Sequence, residues 1–152
     1  MAMTTADCGA LLDQIEEPGR LAAVGYCMGA WHALAAAVRF PQRVGAVAML
    51  HGGRLVTDGP DSPHLLIDRL RLPAYVAFAA DDPTCPPGHQ ALPTEAFAAN
   101  ARAHGRTHRI ESFEARHGWM FPERHCHDPA AASRANAAMA ALFGAALAKE
   151  AS

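Results

Sequence analysis

Leu21–Ala22–Ala23–Val24–Gly25–Tyr26–Cys27–Met28–Gly29, followed by Ala30–Trp31–His32–Ala33–Leu34–Ala35–Ala36–Ala37–Val38, is the stretch on which the fold turns. Its first four residues form a short apolar run, and its last nine form helix readily. Between them Cys27 stands two residues from a glycine on either side. Strand, glycine-flanked cysteine and helix together are the layout of a nucleophile elbow, in which a tight turn lifts the thiol off a strand end. A cysteine so placed faces the N–H groups of the first helical turn, which stabilise a thiolate and a developing oxyanion. Such a motif normally sits mid-domain, yet here only 26 residues precede it.

Outward from this point the chain alternates strand and helix. A first helix is expected over residues 5–17, with Leu11, Leu12 and Ile15 on one face and Pro18–Gly19 as its stop. A strand over 21–26 and a helix over 28–39 follow, the latter ending before Pro41. Residues 44–50 are continuously apolar, as in a strand covered on both faces. The segment from His51 to Pro63 is rich in turn formers, and a short helical piece is expected over 65–70. A third strand over 73–79 leads through Asp81–Asp82–Pro83–Thr84–Cys85–Pro86–Pro87–Gly88 into a helix over 89–104, closed by Gly105. A fourth strand over 107–113 and a last helix over 129–147, with Pro129 in its first turn, complete the pattern. Four such alternations argue for a three-layer α/β fold: a parallel four-stranded sheet with helices on both faces, forming one domain over residues 1–152.

Composition narrows the partners. A chain of 152 residues holds one core. Its net charge of −2, with both signs mixed along the chain, offers no basic face for nucleic acid. No apolar run approaches membrane-spanning length, and no signal-peptide pattern opens the chain, so no membrane association and a cytoplasmic location are expected. The four cysteines, Cys8, Cys27, Cys85 and Cys126, are too widely spaced and differently flanked to read as a disulfide framework.

In parallel sheets, reactive residues collect at the carboxyl ends of the strands. Cys27, Asp82 and His117 all fall just beyond expected strands. In the order Gly25-Tyr26-Cys27-Met28-Gly29, Asp82-Pro83-Thr84-Cys85-Pro86 and His117-Gly118-Trp119-Met120-Phe121-Pro122-Glu123-Arg124, the sequence resembles the dienelactone hydrolases (carboxymethylenebutenolidases) of the α/β-hydrolase superfamily. Asp128–Pro129–Ala130–Ala131–Ala132 is similar to that family's lead into its last helix. The resemblance implies Cys27 as nucleophile, Asp82 as orienting acid and His117 as base. It also implies the Met28 N–H as oxyanion donor, and a small lactone or ester substrate cleaved through an acyl-thiol intermediate. No cofactor is implied.

The chain resembles only the C-terminal part of such a protein, beginning at the helix before the nucleophile strand. The family's earlier portion would hold a second oxyanion N–H, a glutamate near the resting thiol and an arginine for the substrate carboxylate. The side of the Cys27 strand is then expected to be open, inviting a second copy or an N-terminal partner chain. A non-catalytic domain that survives by such assembly is the alternative function.

Individual residues carry plain readings too. Asp81 could take the role of Asp82, and either could cap the following helix. Trp119 and Phe121 could line an acyl pocket or simply pack. Arg124 is a candidate for a substrate carboxylate or an ordinary solvated arginine. Tyr26 and His51 lie beside the strand edge where substrates bind, and either could be a packing residue. His125–Cys126–His127 offers donors soft enough for Zn²⁺, but adjacent residues rarely converge on one ion, so no metal site is expected.

Overall fold

A computed structural model of the chain describes residues 2–17 and 19–148. Four strands, β1 (Leu21–Tyr26), β2 (Val44–Leu50), β3 (Ala74–Asp81) and β4 (His108–Arg116), form one parallel sheet in the order β1-β2-β3-β4. Helix α2 (Gly29–Arg39) joins β1 to β2, α3 (Pro87–His104) joins β3 to β4, and α4 (Pro129–Ala148) follows β4. This is the expected three-layer α/β architecture.

The pleat sorts side chains between two cores. Val47 and Met49 of β2, with Val76 and Phe78 of β3, meet Leu34 of α2 and Phe97 of α3 on one face. Ala48, Leu50, Tyr75 and Ala77 point the other way, toward Trp119 and the alanines of α4. Every residue of β2 is buried, which explains why it reads as an unbroken apolar run. Alanine on α4 lets the helix axis lie close to the sheet, and Ala135 is completely covered.

Four elements differ from the sequence expectation. Helix α1 spans Ala2–Asp13, and Pro18 lies outside the described residues. Leu11 and Ile15 are 64% and 40% exposed, so the apolar face expected of this helix gains little from packing. The helical piece before β3 is a 3₁₀ helix that starts two residues early, over Pro63–Arg69, and the buried Asn100 of α3 holds its end by donating to the carbonyls of Ile67 and Leu70. Strands β3 and β4 run to Asp81 and Arg116, two and three residues beyond expectation. Their last rung pairs Asp81 with Arg116, whose side chains also form an ion pair of 3.2 Å.

At one edge of the sheet, β1 pairs only with β2 among the described residues. Val24, on its outer part, is 43% exposed. Among the described residues, no helix is long and apolar enough to cross a membrane.

Candidate active site

Each strand delivers one side chain to the carboxyl edge at the residue after its last. Cys27 follows β1, His51 follows β2, Asp82 follows β3 and His117 follows β4. The first is held on an elbow. Cys27 has φ of +52°, a left-handed conformation costly for a side-chain-bearing residue. Its N–H donates to Leu50 O at 3.1 Å, extending the β1–β2 ladder, while its own carbonyl accepts from Ala30 N at 3.2 Å. Gly25 makes this turn possible, because a Cβ there would lie 2.0 Å from the carbonyl oxygen of Gly29. The second glycine is not required in the same way, since a Cβ at Gly29 meets open space.

The other two residues close on the thiol. His117 Nε2 lies 3.0 Å from Cys27 Sγ, and His117 Nδ1 lies 2.6 Å from Asp82 Oδ2. The Asp82 side chain is 1% exposed, so the contact with His117 operates away from bulk water. Asp82 Oδ1 accepts from Thr84 N at 2.8 Å and from Thr84 Oγ1 at 2.6 Å. The neighbouring Asp81 points to Arg116 in solvent instead, which separates the two candidate acids. In this arrangement the imidazole can take the thiol proton while the carboxylate fixes its tautomer and supports the imidazolium that forms. Met28 begins the helix in right-handed geometry and is 62% exposed. N–H groups of a first helical turn have no intrahelical acceptor and are available to an oxyanion.

His51 completes the cluster. It is fully buried with φ of +38°, and both ring nitrogens lack a partner among the described residues. Its ring centroid lies 5.1 Å from that of His117 and 5.3 Å from that of Phe121. Burial, and secondarily the charge of His117, pushes its pKa down to about 4, so it stays neutral beside His117. Sequence reasoning placed His51 near the edge without a role. The signal available was its position directly after a strand, the same as that of the other three.

A cavity of about 540 Å³ opens above the thiol, lined by Cys27, Met28, Trp31, Arg54, Asp61 and Thr84 among others. Trp31 and Arg54 were not singled out from the sequence. Arg54 is exposed, has φ of +52° and is anchored by its N–H to Thr84 O at 3.0 Å. Its guanidinium has no carboxylate partner among the described residues.

The residues expected to bind substrate do not line this cavity. Trp119 is 0% exposed and stacks on Phe113 at 4.6 Å, so it belongs to the α4-side core rather than the cavity wall. Gly118, at φ of +91°, turns the chain so that Trp119 passes beneath the sheet edge. Phe121 packs on Tyr26 and His51, and the exposed Arg124 lays its guanidinium over the Phe121 ring at 5.9 Å. Neither Phe121 nor Arg124 is among the cavity-lining residues. Cys126 donates to His117 O at 3.2 Å and His127 Nδ1 meets Trp119 O at 3.0 Å. No group of three potential ligands for a metal occurs among the described residues. Cys85 is buried, which, with the charge of Asp82, raises its thiol pKa to about 11.

A parallel sheet with a cysteine elbow after one strand and acid and histidine after two others is an α/β-hydrolase arrangement, here with four strands. Within that superfamily the chain belongs to the dienelactone hydrolase family, whose pattern matches residues 5–147. No curated protein matches the sequence. Among solved structures, it is similar to a dienelactone hydrolase from Klebsiella pneumoniae subsp. pneumoniae MGH 78578, described as putative, at 22% identity and a TM-score of 0.76, covering 92% of this chain and 60% of that one. It is similar to m3DLH at 24% identity and a TM-score of 0.74, with 96% and 62% covered. It is also similar to the dienelactone hydrolase-like promiscuous phosphotriesterase P91 from metagenomic libraries, at 22% identity and a TM-score of 0.73, with 95% and 62% covered. At these identities the likeness speaks for the fold. The chain spans about 60% of the length of these solved structures.

Proposed function

We propose that the chain carries the hydrolytic centre of a dienelactone-type enzyme, cleaving a small lactone or carboxylic ester. The observation that carries this reading is the continuous contact Cys27 Sγ–His117 Nε2–His117 Nδ1–Asp82 Oδ2, at 3.0 and 2.6 Å, with Cys27 lining a cavity. In the proposed cycle Cys27 gives its proton to His117 and attacks the carbonyl carbon. The oxyanion forms against the Met28 N–H, and the leaving alkoxide takes the proton back from His117 as the acyl-thiol forms. Water, deprotonated by His117, then releases the acid and restores the thiol.

Arg54 takes over the substrate carboxylate in this scheme, in place of Arg124, because it lines the cavity and has no acidic partner among the described residues. A cytoplasmic setting suits the four free cysteines. The test is turnover of an activated ester and of a dienelactone by the protein and by Cys27→Ala. Hydrolysis that survives the substitution removes Cys27 from the mechanism.

A second reading rests on the β1 edge, where the outer side of the strand carries the exposed Val24 and the exposed Met28 follows its end. Here the chain corresponds to the C-terminal part of the longer family members and works only when a second copy or an N-terminal partner chain covers that edge. Light scattering separates the two: a stable monomer that turns over ester contradicts this second reading.

A further inference from the structure

Asp82 can serve His117 only if its carboxylate keeps one particular rotation, and one residue supplies both restraints on it. Oδ2 is committed to His117 Nδ1, and Oδ1 receives two donors, both from Thr84. The backbone N–H, at 2.8 Å, completes an Asx-type turn that any non-proline residue could supply. The hydroxyl, at 2.6 Å, is specific to threonine or serine. Because its one proton goes to Asp82, Thr84 Oγ1 presents a lone pair toward His117 Nδ1, 3.4 Å away.

The hydroxyl is itself boxed in. A Cβ at Gly53 would come within 2.6 Å of Thr84 Oγ1, and Arg54 N donates to Thr84 O at 3.0 Å. The loop after β2 and the loop after β3 are thus locked together around one hydroxyl group, and that lock faces the cavity.

We propose that Thr84 is the positioning residue of this site, its hydroxyl fixing the Asp82 carboxylate so that Oδ2 addresses His117 Nδ1. The geometry stands by itself; its consequence for turnover rests on the hydrolytic reading above. Removing the hydroxyl leaves Oδ1 held by the Thr84 N–H alone, which loosens the carboxylate's contact with His117 and slows transfer of the Cys27 proton.

The experiment measures the rate of Cys27 alkylation by iodoacetamide at pH 6, which needs no substrate, together with kcat and KM on an activated ester. Thr84→Val keeps the side-chain shape. It is expected to slow alkylation about tenfold, the worth of one hydrogen bond to a charged group, and to lower kcat similarly while KM stays within about twofold. Thr84→Ser restores both. Gly53→Ala, which displaces the same hydroxyl from outside, reproduces the loss if Thr84→Val folds poorly. Alkylation unchanged in both Thr84→Val and Gly53→Ala overturns the assignment, as does a wild-type Cys27 no more reactive than an ordinary thiol. Alkylation that falls as expected in a protein that hydrolyses no ester supports the role of Thr84 and counts against the hydrolytic reading alone.

Discussion

Lowering the pH should weaken this fold through His51, and the size of the effect follows from its surroundings. An imidazole in the unfolded chain titrates near 6.5. In the fold, burial above all, and then the charge of His117, holds the His51 pKa at about 4. Its own backbone and Asp82 oppose that shift, while Arg124 adds to it. Between these values the unfolded chain binds a proton that the folded chain refuses. Stability is therefore whole above about pH 6.5, falls as the pH drops toward 4, and levels off below that. At pH 5 the linkage relation gives a loss of about 2 kcal/mol relative to pH 7.5.

His32 and His108 are also lowered by burial and push in the same direction, so the wild-type slope alone does not isolate the effect. His51→Phe does. It keeps a ring among Tyr26, His117, Trp119 and Phe121 and removes two nitrogens that have no partner among the described residues. Urea unfolding of both proteins at pH 7.5 and pH 5 is the assay. The wild type should lose about 2 kcal/mol more than the variant between the two conditions. Equal losses, within about 0.5 kcal/mol, would refute the placement of His51 as a buried neutral imidazole.

Other substitutions test other parts of the argument. Gly25→Ala sets a Cβ 2.0 Å from a backbone oxygen and should cost more than about 3 kcal/mol, with a broken elbow seen as loss of Cys27 reactivity. Arg54→Gln should raise KM about ten- to a hundredfold for a carboxylate-bearing ester and leave KM for an uncharged ester nearly unchanged. Steady-state kinetics on the matched pair of substrates decides it. Asn100→Ala strips the donor from the carbonyls of Ile67 and Leu70 and the acceptor from His108, and chemical denaturation should show a loss of about 2–4 kcal/mol.

The sheet was legible because a parallel strand buried on both faces has to be apolar throughout, and Val44–Leu50 is. The positions of Cys27, Asp82 and His117 were legible for a related reason. Each follows a strand directly, and strands of one direction place their ends at one edge whatever the loops do. What the sequence hid depends on loop direction. The left-handed geometry of Arg54 turns it into the cavity wall, while Gly118 carries Trp119 into the core, and neither turn follows from local composition. Arg124 stands seven residues after His117 and is drawn away onto Phe121, so proximity in sequence was a poor guide to the cavity.

His51 is the instructive case between these two. Its position followed the same strand-end rule as the other three, but a buried imidazole whose two nitrogens have no partner among the described residues is costly where an apolar ring would pack equally well. A rule about strand ends finds such a residue. Only the burial around it explains why it remains neutral 5.1 Å from the histidine proposed to take the thiol proton.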